Sequence, residues 1–149
     1  MGLFRVDADI LIVGNGETIK NGSLVIEGSK LDYSGEQEHA PKINAIVTAP
    51  VVMPGMWDCH SHFVGIRRAA IEDTVTTDPI QAALRCAWDA KAALESGITS
   101  TREVGGFGVY LSRAVNEGAI PGPRIYAAGS VISMTGGHGD IHNVALDAL

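Results

Sequence analysis

The sequence predicts an α/β chain in two parts: a small antiparallel β unit, then strands and helices alternating around a parallel sheet. Three observations carry this. Short β-branched runs separated by glycine and asparagine turns fill the first fifty residues. A Pro54-Gly55 corner ends them. Beyond it, strand-like runs alternate with apolar residues at helical spacing.

Taken in order, Asp9-Ile10-Leu11-Ile12-Val13 and Ser23-Leu24-Val25-Ile26-Glu27 read as strands. Gly14-Asn15-Gly16, Asn21-Gly22 and Gly28-Ser29 supply turn chemistry between and around them. Residues 43–52, broken by Pro50, lead into the corner, and Met56 to His62 is extended. Asp78-Pro79-Ile80-Gln81 offers a capping carboxylate, a proline in the first turn and Gln three residues after the cap, so a helix begins there. Ile80, Ala83, Leu84, Ala87 and Leu94 recur at helical spacing and predict the face that covers the sheet; Gly97 supplies the stop. Ile98 to Val104 is the next strand, Tyr110 to Glu117 a shorter helix ending at Gly118, and Arg124 to Ser130 a third strand. Strands joined by covering helices run parallel, with right-handed crossovers. Their carboxyl ends share one edge, which gathers His60, His62, Arg102 or Glu103, and His138.

Bulk properties narrow the function. A chain of 149 residues with 46% hydrophobic and 19% charged side chains is globular and large enough for one ordinary core. Eleven basic against seventeen acidic groups give a net charge of −6 without a basic cluster, which argues against nucleic-acid and anionic-membrane partners and for a small molecule. No long uncharged apolar window predicts a membrane span, and residues 1–9 lack a signal-peptide centre. Cys59 and Cys86 are expected to be buried reduced thiols, which favours a cytoplasmic location, with secretion the alternative.

The sharpest feature is His60-Ser61-His62. On an extended strand Asp58, His60 and His62 face one way and Trp57, Cys59 and Ser61 the other. The two histidine Cα atoms would lie roughly 6.5 to 7 Å apart, which suits two ring nitrogens reaching one cation at about 2.1 Å each. Imidazole suits zinc, iron, nickel and cobalt alike, so the pair does not name the metal. The competing reading is two structural histidines with satisfied hydrogen bonds.

These residues carry a resemblance. Val52-Met53-Pro54-Gly55 through His62-Phe63, Gly97-Ile98-Thr99-Ser100-Thr101-Arg102, and Gly122-Pro123-Arg124-Ile125 with the following Ser133 to Asp140 loop are similar to the first three barrel strands of the amidohydrolase superfamily. Within it, Met53 to His60 and Ser133 to Ile141 most resemble the ochratoxinase, prolidase-like and basic-residue carboxypeptidase group. The resemblance implies the amino-terminal part of a (β/α)8 TIM-type barrel preceded by a small antiparallel β-sandwich segment, with residues 1–53 in the sandwich and 54–149 forming three β/α units. A barrel needs about 250 residues, so an incomplete one, paired with the remainder of the same barrel, is expected.

The family also implies roles. His60 and His62 would bind one or two divalent ions, zinc foremost, while His138 would act on the substrate from its loop. Asp58 would sit beneath the ligands as a polar anchor that orients an imidazole. Arg102 would support the site or merely pair with Glu103 or another acid. Glu103 stands where relatives commonly carry Asp. His39 and His142 are expected in solvated loops without convergent partners. The implied reaction is hydrolysis of a carboxyl-terminal amide, in a dipeptide-like or acylated amino acid substrate, by a metal-activated hydroxide, in a homo-oligomer. Deamination or cyclic-imide opening is the alternative chemistry, and a non-catalytic piece that needs a complementary segment is the alternative class.

Overall fold

Turns at residues 13–17 and 28–29 fold the first fifty residues into a four-stranded sheet: β1 (Leu3–Ile12), β2 (Thr18–Glu27), β3 (Lys30–Glu36) and β4 (Ile46–Val52), in the order β3-β2-β1-β4. The computed structural model describes residues 2–141 and 144. The chain divides into two compact units, Met1–Pro54 and Gly55–Leu149.

β1, β2 and β3 pair antiparallel, but β4 pairs parallel with β1, Ala8 beside Ala49 and Ile10 beside Val51, so the sheet is mixed rather than wholly antiparallel. Pro50 does not break this strand, because β4 lies at the sheet edge, where a missing amide donor costs no ladder bond. Nor is Asn21-Gly22 a turn. It lies inside β2, where Asn21 takes a left-handed φ of 51° and Gly22 pairs with Ala8.

Asp7 is the polar node of this unit. Its buried carboxylate accepts hydrogen bonds from Arg5 (2.6 and 2.9 Å), from Gln37 (3.0 Å) and from the Ser23 hydroxyl. The Arg5 bond, reinforced by those of Ser23 and Gln37, outweighs desolvation and holds the Asp7 pKa below its ordinary value of 3.8. A depressed carboxylate contributes stability above the unfolded pKa and loses it as pH falls through the folded one. Asp7→Asn is therefore expected to destabilise the protein near neutrality and to flatten the loss of stability on acidification below about pH 4, read from denaturant midpoints against pH. Parallel curves for the two proteins would contradict this.

The second unit is a βαβαβ run. β5 (Met56–Ser61), β6 (Ile98–Glu103) and β7 (Arg124–Ala127) form a parallel sheet in that order. Between them lie α1 (Asp73–Thr76), α2 (Pro79–Glu95) and α3 (Gly108–Asn116). Asp78 caps α2 by accepting the Ile80 and Gln81 amides at 2.9 and 3.0 Å, worth about 1 kcal/mol. The short α1 has no counterpart in the predicted elements; its Asp73 is gripped by Arg68.

The face that α2 buries differs from the predicted one. Ala82, Cys86 and Ala90 are buried, whereas Ile80 and Leu84 are 72% and 70% exposed. Small side chains at i, i+4 and i+8 let the helix come close to its neighbours, so close approach decides the face rather than side-chain size. The core joins Cys86 and Ala90 to Phe63, Leu111 and Ile125. Both cysteines are free thiols, but only Cys86 is buried; Cys59 is exposed. Burial pushes the Cys86 thiol up to about 11. Among the described residues, no helix is long and apolar enough to cross a membrane.

Candidate metal centre

The carboxyl end of β5 is irregular. Its pairing with β6 slips between Asp58 and Ser61, so strict side-chain alternation does not run through to His62. The Asp58 carboxylate curls onto its own strand and accepts the backbone amide of His60 at 3.0 Å. Asp58 therefore shapes the main chain beneath His60 and makes no hydrogen bond to an imidazole. Nearby, the Arg102 guanidinium donates to the Cys59 carbonyl at 2.7 Å. That contact bridges the slip from β6, and Arg102 forms no ion pair with Glu103. Ser61 and Thr101 share a hydroxyl hydrogen bond at 2.5 Å, which ties the two strands again just past the slip.

Across this irregular stretch the two histidines converge. The His60 and His62 rings lie 5.2 Å apart, centroid to centroid, edge to face. His62 Nδ1 lies 2.8 Å from the carbonyl oxygen of Gly105. A carbonyl only accepts, so Nδ1 carries the proton, and in the neutral ring Nε2 keeps its lone pair. A ring nitrogen tied to a main-chain carbonyl, with the other left free, is the arrangement that orients histidine ligands in metal sites. The donor set thus suits a divalent cation, with two imidazoles supplying part of the coordination.

Glu103, at the end of β6, is fully buried. Burial raises its pKa, opposed by the backbone amides of Phe63, Gly108 and Gly105 and by the nearby His62. His138 is exposed on the glycine-rich loop after β7 and makes no hydrogen bond among the described residues. Turns close that loop, with Gly136 donating to Asp140 at 2.7 Å and Gly139 to Ser133 at 3.2 Å. The loop's beginning reaches the histidine edge, because a side chain at Gly105 would meet both Val131 and the His62 ring.

His39 has partners after all, lying 3.3 Å from Glu36 and 3.5 Å from Glu38. All three are exposed, as solvated surface groups commonly are. His142 lies outside the described residues. One group at the histidine edge carries no residue-type signal in the sequence, the Gly105 carbonyl; Glu103 was placed at that edge, but its full burial was not foreseen. The doublet Gly105-Gly106 directly after a strand was the available clue to a tight main-chain approach.

Residues 51–147 match the amidohydrolase family. The chain is 38% identical over 141 residues to an ochratoxinase from Aspergillus niger, a match that covers 90% of this chain and 29% of that protein. It superposes on the crystal structure of the A. niger ochratoxinase with a TM-score of 0.86 at 34% identity, covering 97% of this chain and 35% of the other. A Xaa-Pro dipeptidase crystallised with methionine in its active site gives 0.84 at 27% identity, over 98% of this chain and 38% of the other. A prolidase complexed with N-methylphosphonate-L-proline gives 0.81 at 30% identity, over 95% and 35%. The chain therefore spans about a third of the length of these relatives. With the family matched over residues 51–147 and the strand-end histidine pair inside that match, the chain belongs to the amidohydrolase family.

Proposed function

We propose that the complete protein is a metal-dependent hydrolase of carboxyl-terminal amide bonds and that this chain supplies its first three barrel strands. One observation carries the reading most: the His60 and His62 rings lie edge to face at 5.2 Å, and the Gly105 carbonyl occupies Nδ1 of His62, which turns its Nε2 to other use. His60 and His62 would hold a divalent ion, zinc being the first candidate. Such an ion, once bound, lowers the pKa of a water toward neutrality and polarises the scissile carbonyl. Asp58 and Arg102 act on the strand: one fixes the His60 amide and the other the Cys59 carbonyl, so the metal-facing end of β5 keeps its bent path. His138 donates a hydrogen bond to the substrate's carbonyl oxygen or terminal carboxylate.

The substrate class draws on the likeness to an ochratoxinase, a Xaa-Pro dipeptidase and a prolidase. In this reading the substrate is a dipeptide or acylated amino acid, and the rest of the site comes from later strands of the same barrel. The test is hydrolysis of Xaa-Pro dipeptides, N-acyl amino acids and ochratoxin by the complete protein before and after chelation. Cleavage that a chelator abolishes and added metal restores is the expected result. Cleavage untouched by a chelator that removes all metal would overturn the metal-dependent reading.

A further inference from the structure

Glu103 is the largest side chain fully buried among the described residues, and neither carboxylate oxygen accepts a hydrogen bond of good geometry. A buried polar group without partners is costly, so its surroundings have to compensate. They do so by main-chain approach. A Cβ on Gly106 would run into Glu103 Oε1 and the Phe63 carbonyl, and one on Gly108 into Glu103 Oε2. Gly106 also sits at φ 143°, which side chains rarely adopt. Residues 105–108 thus wrap closely around the carboxylate, whose neighbours include the amide of Gly108 at the start of α3.

The same turn is stitched to the end of β5 on both sides of His62. Val104 donates to the Ser61 carbonyl at 3.0 Å and Phe107 to the Phe63 carbonyl at 2.8 Å. Between these two bonds, the Gly105 carbonyl meets His62 Nδ1. We propose that Glu103 is a positioning residue: its buried carboxylate holds the turn of residues 105–108 in place, so that the Gly105 carbonyl fixes His62 as the Nδ1–H tautomer with Nε2 directed away. The pair of carboxyl oxygens is the operative property, since both are closely wrapped by the turn. The main chain of the turn approaches both oxygens closely, and a carboxamide would put an NH2 group against it at one end. The consequence for metal affinity rests on the metal-site reading above; the tautomer itself does not.

The test compares E103Q and E103D with the wild type in the complete protein. The readouts are 15N shifts of His62 in the metal-free protein at a pH where the ring is neutral, and zinc affinity by competition with a chelating dye. Wild type should show one tautomer, protonated at Nδ1. E103Q should mix tautomers and bind zinc at least about 10-fold more weakly, the scale on which supporting contacts to metal ligands act. E103D keeps both carboxyl oxygens and should stay closer to wild type in both. A merely space-filling Glu103 predicts the reverse order, because Gln is the isostere, and that order would overturn the proposal. So would E103Q with the wild-type tautomer. If E103Q fails to fold, E103D alone decides: loss of the Nδ1–H tautomer there overturns the proposal, and its retention supports it. Wild-type protein that binds no zinc would sink the metal reading while the tautomer comparison still judges Glu103.

Discussion

Replacing His60 or His62 with alanine in the complete protein is expected to remove bound metal and to lower amide hydrolysis on the order of 1,000-fold, about 4 kcal/mol of transition-state stabilisation. The fold should survive both changes. Both rings lie at the exposed end of β5, outside the core formed by Phe63, Cys86, Ala90, Leu111 and Ile125. The two variants should nonetheless differ in one respect. His62→Ala also leaves the Gly105 carbonyl without its ring partner, so the turn of residues 105–108 should exchange amide hydrogens faster than in His60→Ala. Wild-type kcat/KM in either variant would contradict the assignment.

The largest loss of stability is expected at Gly65. This residue takes φ 68°, and a Cβ there would fall on the backbone of Ala82, against its carbonyl oxygen and Cα. Backbone cannot swing aside as a flexible side chain can. The obstacle, moreover, belongs to the buried face of α2, whose Ala82, Cys86 and Ala90 depend on close approach. Gly65→Ala combines left-handed strain with displacement of a helix, and about 3 kcal/mol of destabilisation is expected, or roughly 10 °C in Tm. A Tm within 2 °C of wild type, by calorimetry at equal metal loading, would contradict this packing account.

The histidine pair was legible because it is written in residue types at a fixed spacing, and the start of α2 because capping carboxylate, proline and glutamine stand together. Other features left weaker traces. The face of α2 was misread because periodicity weights large apolar residues such as Ile80 and Leu84, whereas the packing uses Ala82, Cys86 and Ala90. β4 was read only as a broken lead-in, since Pro50 argues against a strand unless the strand is known to lie at an edge. The slip between Asp58 and Ser61 could not be foreseen from alternation, because one irregular residue inverts the parity of all that follow. Asp58 was expected near the ligands, and its contact proves to be with the His60 amide rather than with a ring. Main-chain acceptors such as the Gly105 carbonyl have no side-chain signature at all. Glu103 drew notice in the sequence as an alternative to Arg102 at the strand-end edge and as a departure from Asp, and burial is what gives it weight.

That the end of β5 contributes His60 and His62 to a metal site is tested most directly by metal content. Plasma mass spectrometry of the complete protein, purified without added metal or chelator, should find at least one equivalent of a divalent transition metal per chain in the wild type. His60→Ala and His62→Ala, folded to the same degree by circular dichroism, should hold substantially less. Metal content equal in all three proteins, or absent from a wild type that is fully active, would contradict it.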